Sequence, residues 1–151
     1  MTPDLEIQDL PDSEEKVMLA LWRCGGEASF YQIQLALEGE RWAPSTLLNF
    51  LYRLEKRGFV RVSKQGGRNR YLPLIDRRRY LAGRVRRFLE RFWGGSLTRM
   101  TGEMLTARAL GDEELESLHH LLEKALAERY TGEDDLYELF FAALGEGTEA
   151  D

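Results

Sequence analysis

The chain has 151 residues, of which 43% are hydrophobic and 31% charged, and its formal net charge is −5. Its single cysteine, Cys24, excludes an intramolecular disulfide and a metal site built from a cysteine cluster. No window approaches the ~20 apolar residues of a membrane helix. The acidic first ten residues lack the basic and apolar regions of a signal peptide. We therefore expect a cytoplasmic globular protein.

The net charge is the sum of three consecutive blocks of sequence whose charges alternate in sign. Residues 1–40 hold 2 basic and 9 acidic side chains, residues 41–92 hold 15 and 3, and residues 93–151 hold 4 and 14. The blocks therefore carry −7, +12 and −10. A basic block inside an acidic protein indicates a surface for a polyanion such as nucleic acid. The alternative is that its arginines form solvated faces and pair with the acidic flanks.

The first part of the chain predicts two helices. "PDSEEKVMLALWRCGG" is typical of a helix that Asp12 or Ser13 caps and that two glycines end. "EASFYQIQLALEGE" predicts a short strand at residues 27–28 and then a second helix, capped by Ser29.

"RWAPSTLLNFLYRLEKRG" predicts a third helix that begins with Pro44 and stops at Gly58. Its apolar residues lie at i, i+3, i+4 and i+7 and predict a buried stripe of Leu47, Phe50, Leu51 and Leu54. The alternative for the other face of this helix is a side that water merely solvates. We predict instead that this face and the first turn contact DNA through Pro44, Ser45, Thr46, Leu48, Asn49, Tyr52, Arg53 and Lys56. In this set Asn49 suits adenine, Leu48 suits a thymine methyl group, and Tyr52 and Arg53 suit phosphate.

A β-hairpin follows the third helix. "FVRVS" alternates like a strand, "KQGG" is a turn, and "RNRYLPL" is the return strand that Pro73 ends. Residues 53–73 carry seven Lys or Arg and one Glu. The order helix, helix, helix, hairpin predicts a winged helix-turn-helix domain over residues 1–75, mainly α with a small β-hairpin. Lys64, Arg68 and Arg70 flank the wing turn and are predicted to contact phosphate or the minor groove.

From residue 76 the pattern returns to amphipathic helices. We predict a helical dimerisation lobe over residues 76–130, because its apolar stripes exceed what a small winged domain can cover. The predicted dimer contacts are Leu81, Val85, Phe88, Leu89, Phe92, Trp93, Leu115, Leu118, Leu122 and Ala125. Residues 131–151 form an acidic extension that predicts one short docking helix or a segment that folds only on a partner.

Four stretches carry a family resemblance: "VMLALW", "LLNFLYRLEKRGFV", "YLPLI" and "RFLERFWGGSL". From Glu15 to about Ala127 the chain resembles the penicillinase and methicillin-resistance repressor family, which includes copper-responsive repressors. The resemblance implies a dimeric winged-helix repressor on a palindromic operator. It also implies release of repression when a membrane sensor protease triggers cleavage.

The chain departs from the family pattern at three places. Ser45-Thr46-Leu47-Leu48 stands where family members usually carry Thr-Thr-Val and then a basic residue, so Leu48 replaces a basic base-reading side chain. Glu103-Met104 matches the Asn-Phe bond that is cut in well-known members, so that cleavage site cannot be carried over. The copper-responsive members' cysteine cluster is missing.

The sequence contains few residue patterns that could support catalysis or bind a metal ion. His119 and His120 point about 100° apart on a helix and cannot easily share one metal ion, and no enzyme or cofactor motif is present. We therefore predict a protein that is not an enzyme and needs no metal or cofactor. The favoured function is a dimeric, sequence-specific DNA-binding repressor. The alternative is a winged-helix adaptor for protein interactions, which the position of Leu48 on the reading face of the third helix and the acidic tail favour.

Overall fold

The computed structural model describes residues 7–128. The chain divides into two units, residues 1–95 and 96–151, and the predicted helix in 131–151 lies outside the described residues. The elements of the first unit are α1 (Asp12–Arg23), β1 (Ala28–Ser29), α2 (Phe30–Ala36), α3 (Pro44–Lys56), β2 (Val60–Gln65), β3 (Arg68–Pro73) and α4 (Arg77–Trp93). The second unit contains α5 (Leu97–Thr106) and α6 (Asp112–Glu128). No helix in the described range is long and apolar enough to cross a membrane.

The predicted hairpin is confirmed as part of a three-stranded antiparallel sheet in the order β1-β3-β2. Ala28 of β1 and Val62 of β2 both lie opposite Tyr71 of β3. The wing turn is the two-residue loop Gly66–Gly67, with φ of 60° and 78°. Positive φ at both turn positions matches the twist of a tight hairpin and favours glycine there.

The core of the first unit lies between the three helices and the sheet. In α3 the predicted stripe is confirmed, because Leu47, Leu51 and Leu54 are buried. Phe50 is half-buried, with its ring 4.9 Å from the ring of Trp42. The other buried hydrophobic residues are Leu10, Val17, Met18, Ala20, Leu21, Ala28, Ile33, Leu37, Phe59, Val60, Tyr71 and Tyr80.

Helix capping follows the prediction in α2 but not in α1. Ser29 Oγ accepts a hydrogen bond from the backbone N–H of Gln32, and the Gln32 side chain accepts from the N–H of Ser29. The predicted cap of α1 by Asp12 or Ser13 is wrong, because Pro11 occupies the capping position and no side chain bonds to the helix end. Instead, the helix start places Glu14 in the interior, where it is 2% exposed.

Helix α4 packs with the winged-helix core. Tyr80 is fully buried, and its ring lies 5.6 Å from the ring of Trp22 and 5.7 Å from that of Phe59. The Trp22 indole N–H also donates to the carbonyl of Ile75 at 3.0 Å. Gly94, with φ of 57°, ends the helix in the left-handed conformation. The unit boundary thus falls after α4, and a dimerisation lobe that begins at residue 76 stays a prediction.

The second unit has little interior of its own. Ser96 Oγ caps α5 by accepting from the backbone N–H of Arg99 at 3.1 Å. None of the described residues of α5 or α6 is buried. Leu97, Leu105 and Leu122 are all exposed, and Leu126 is 82% exposed.

Candidate nucleic-acid interface

The outward face of α3 is set by the burial of its leucine stripe. Because Leu47, Leu51 and Leu54 point into the core, the helix turns its predicted DNA face to solvent. The exposed members of that face are Pro44, Ser45, Leu48, Asn49, Tyr52, Arg53 and Lys56. Thr46 is half-buried and so presents less of its side chain. Most of the residues predicted on this helix therefore share one accessible surface.

Cationic side chains on this helix rest on aromatic rings. Lys56 Nζ lies 5.2 Å from the centre of the Tyr52 ring, and the Arg53 guanidinium lies 5.9 Å from that of Phe50. Such contacts hold a charge over a ring face with modest attraction and leave it accessible. Both cations are therefore held near the helix where a phosphate could approach.

The wing supplies two exposed cations. Lys64 lies opposite Asn69, and Arg68 lies opposite Gln65, next to the glycine turn. Within the described part of the chain, neither Lys64 nor Arg68 forms an ion pair or side-chain hydrogen bond. Cations without a protein partner are available to polyanions.

Arg70 is placed differently from the other predicted wing residues. Its Nε lies 3.9 Å from Glu27, and its other guanidinium nitrogens donate to the Glu27 carbonyl at 3.4 Å and to Gln32 Oε1 at 3.5 Å. Glu27 also accepts from the hydroxyl of Ser63 at 3.1 Å. Arg70 therefore ties the wing to Glu27, just before β1, and to α2. Its role as a phosphate contact stays a prediction.

A concavity of about 570 Å³ separates α3 from the wing. Its lining includes Leu48 of α3, Tyr31 of α2, and Lys64, Arg68 and Asn69 of the wing. Tyr31 is 65% exposed, and the sequence analysis did not include it. The only signal in the sequence is that Tyr31 falls outside the buried positions of α2, two residues before Ile33.

Three further arginines of the basic block pair with acidic residues. Arg87 Nε donates to Asp9 Oδ1 at 2.7 Å, and Arg84 bonds to Asp9 at 3.3 Å and to Glu15 at 3.0 Å. The hydrogen bond to Glu15 raises the pKa of Arg84 above its already high value. Arg57 pairs with the buried Glu14 at 2.9 Å. The acidic flank and the basic block thus pair around the core, whereas Lys64 and Arg68 of the wing do not take part.

The predicted dimer residues form exposed or half-covered surfaces. In α4 the rings of Phe88, Phe92 and Trp93 cluster at 5.1–6.0 Å, with Phe92 56% exposed. Val85 is also exposed, Leu89 is half-buried, and Leu81 packs against the winged-helix core. In α6 Leu115, Leu118 and Ala125 are half-buried, and Leu122 is 53% exposed.

The two histidines of the chain are neighbours in α6, and its one cysteine is Cys24 at the end of α1. His119 is exposed, with Nε2 3.6 Å from Glu123, and His120 is exposed as well. Across the described range, no group of three or more His, Cys, Asp or Glu could hold a metal ion. Cys24 is half-buried and donates a weak hydrogen bond to the carbonyl of Ala20 at 3.4 Å.

A three-helix core, a cationic wing and an exposed third helix define a winged helix-turn-helix protein of the DNA-binding class. Comparison with known proteins makes the assignment specific. The family model described as penicillinase repressor matches residues 10–124, and the chain belongs to the penicillinase repressor family. This membership makes it a DNA-binding transcriptional repressor and not an enzyme, as the sequence analysis predicted.

The proteins similar to this chain include a repressor sequence and a solved structure, both from Bacillus licheniformis. The penicillinase repressor of Bacillus licheniformis is 30% identical over 119 residues, which cover 79% of this chain and 93% of that protein. A solution structure of monomeric BlaI from Bacillus licheniformis with the blaP half-operator is 28% identical. It covers 50% of this chain and 92% of that one, with a TM-score of 0.42. The family assignment rests on the match over residues 10–124.

Proposed function

We propose that this repressor binds a palindromic DNA operator as a homodimer, with one α3 and one wing on each half-site. The observation that carries the proposal is the exposed surface that α3 shares with the wing, on which Lys64 and Arg68 pair with no residue among 7–128. Phosphate contacts from such cations position a protein on DNA, and side chains of a helix in the major groove read the bases. Asn49 and Ser45 offer the polar atoms for that reading.

The dimer is supported by the apolar surface that each protomer leaves exposed. Val85, Phe88 and Phe92 of α4 and Leu122 and Leu126 of α6 are each at least 40% exposed. Large apolar patches of this kind mark interaction surfaces, and a symmetric pair of identical copies covers them most simply. A dimer also places two recognition helices on two half-sites, which is why palindromic operators suit it.

We also propose that proteolysis of the repressor releases repression. Family membership supports this part of the proposal. Glu103–Met104, the pair that matches the family's cleaved bond, lies within α5. Because Glu-Met stands there in place of Asn-Phe, the family's cleavage site is not carried over to this pair. A cut elsewhere between α4 and α6 would separate α6, with its proposed dimer contacts, from the winged-helix domain. A repressor of this kind would act where the genomic DNA lies, in the cytoplasm.

Selection from a pool of duplexes with a randomised centre tests the DNA-binding proposal. We expect enrichment of an inverted repeat whose half-sites lie about one helical turn, ~10 base pairs, apart or a multiple of it. Affinity for the enriched duplex should fall steeply with salt, because each neutralised phosphate contributes about −0.9 to the slope of log K against log salt. The result would contradict the proposal if no sequence is enriched and any binding is flat in salt.

The adaptor alternative has one observation in its favour. Leu48 is 47% exposed and Tyr31 is 65% exposed on the surface assigned to DNA. Exposed apolar side chains are also found where proteins bind one another. The same selection separates the two functions, because an adaptor would enrich no duplex.

A further inference from the structure

The concavity between α3 and the wing combines apolar and cationic side chains. Leu48 and Tyr31 contribute exposed apolar surface, whereas Lys64 and Arg68 contribute positive charge. Nearly half of Leu48, 47%, is exposed, whereas the neighbouring Leu47 is 2% exposed. A ligand that covers this surface would be anionic, to match the cations, and would present an apolar group to Leu48.

DNA meets both requirements at one kind of base pair. In the major groove the bases present hydrogen-bond donors and acceptors, and thymine alone among them adds an apolar group, the C5 methyl. The phosphates on either side match the charge of Lys64 and Arg68. A protein partner would match the apolar surface but would need acidic residues to match the wing, so DNA is the simpler occupant.

We propose that Leu48 reads the C5 methyl group of one thymine in each operator half-site. The inference rests on the proposed function and adds the chemical group that is recognised. Leu48 has no polar atom and so cannot read a hydrogen-bonding edge. Asn49 is the next residue on the helix, 1.5 Å further along the axis, and its amide suits an adenine. Together the two side chains would favour A·T pairs in the half-site.

The probe for the test is the duplex enriched from the randomised pool, with each thymine replaced in turn by deoxyuridine. Deoxyuridine lacks only the C5 methyl group and keeps the pairing edge of thymine. At one thymine per half-site we expect about a fourfold loss of affinity, the equivalent of ~0.8 kcal/mol for one buried methyl-sized group. Replacement at every other thymine should change affinity less.

Leu48 variants assign the effect to this side chain. Leu48→Ala should bind the thymine and deoxyuridine duplexes equally at that position, because the contact is already lost. Leu48→Met keeps an apolar side chain of similar size and should retain the preference for the methyl group. Thermal melting checks that both variants fold, which the exposure of Leu48 leads us to expect.

A methylated base gives a second readout. Replacing the sensitive T·A pair by C·G should weaken binding, and 5-methylcytosine at that position should restore part of the loss in wild type but not in Leu48→Ala. The inference is overturned if deoxyuridine has no effect at any position, or if Leu48→Ala keeps the same sensitivity as wild type. A pool in which no duplex is enriched would instead refute the proposed function, and this inference with it.

Discussion

The Tyr80 hydroxyl donates a 2.5 Å hydrogen bond to the Glu15 carboxylate. The same hydroxyl accepts a hydrogen bond from the backbone N–H of Leu10 at 2.9 Å, and Glu15 also accepts from Arg84 at 3.0 Å. One buried phenol therefore joins the segment before α1, α1 itself and α4. The direction in which α4 leaves the winged-helix core is fixed by these bonds and by the packing of the Tyr80 ring.

Tyr80→Phe should destabilise the first unit. The variant keeps the ring between Trp22 and Phe59 but leaves the buried N–H of Leu10 without its acceptor. An unsatisfied buried polar group costs about 1–3 kcal/mol, and urea unfolding followed by circular dichroism measures that loss. Tyr31→Phe, at an exposed tyrosine, is the matched control and should change stability by no more than about 0.5 kcal/mol. Equal stability of the two variants would mean that the Tyr80 hydroxyl contributes nothing.

The stability of the protein should also fall at alkaline pH because of Tyr80. Burial, and then the hydrogen bond to Glu15, raise the pKa of Tyr80. A tyrosine in the unfolded chain ionises near pH 10, so above that pH the unfolded state has lost a proton that the folded state keeps. The free energy of unfolding therefore falls as pH rises, by about 1.4 kcal/mol from this group at one pH unit above its unfolded pKa.

Comparison with Tyr80→Phe isolates that contribution from the other groups that titrate at high pH. Urea unfolding of both proteins near pH 9 and near pH 11, one unit on either side of the ordinary tyrosine pKa, is the measurement. Wild type should lose more stability than the variant over this range. Parallel losses would show that the Tyr80 hydroxyl titrates as it does in water.

Mutations of the two members of the Glu14–Arg57 ion pair should lower the free energy of unfolding by unequal amounts. Glu14 is 2% exposed, whereas the Arg57 side chain is 41% exposed. Arg57→Ala leaves a buried carboxylate without its cation and should cost about 3 kcal/mol of unfolding free energy. Glu14→Gln leaves a neutral amide inside and a guanidinium that water can solvate, so its cost should be smaller. Chemical denaturation of both variants checks the order, and the reverse order would contradict the burial of Glu14.

Lys64→Ala should weaken binding to all duplexes to a similar degree. A wing cation on phosphate positions the protein without reading sequence, and its loss should reduce the salt slope by about 0.9 per protomer. Lys124→Ala, at an exposed lysine of α6, removes the same charge from the chain and is the matched control. A salt titration of both variants distinguishes a direct contact from net charge, because a net-charge effect would be the same in each.

Leu118→Asp should convert the protein to monomers. If α6 packs against a second copy, an aspartate at this position would put an unpaired carboxylate into the shared apolar core, which is strongly disfavoured. His120→Asp adds the same residue at an exposed position of the same helix and should leave the dimer intact. Sedimentation at micromolar concentration reads the oligomeric state. A wild-type monomer, or a dimeric Leu118→Asp, would contradict the proposed dimer.

The sequence by itself determined the parts of the fold that depend on local pattern. The spacing of Leu47, Leu51 and Leu54 predicted the buried side of α3, and hence its exposed side, because helical periodicity places both. The glycine pair in "KQGG" predicted the wing turn, because positive φ at both positions favours glycine. The order of the elements and the four sequence motifs were then sufficient to predict the family.

Only the tertiary structure decided which charges remain available for DNA. Arg84 and Arg87 look like Lys64 and Arg68 in sequence, but the first two pair with acidic residues 69–78 positions away. The burial of Glu14 beside Arg57, 43 positions away, was likewise not readable from helix pattern.

The partners of Tyr80 and the grouping of Tyr31 with Leu48 were also decided by the tertiary structure alone. Leu10 lies 70 positions from Tyr80, and Tyr31 comes from a different helix from Leu48. The physical reason is common to all these cases. Periodicity reports which side of an element is buried, but the partner of a side chain depends on how distant elements pack.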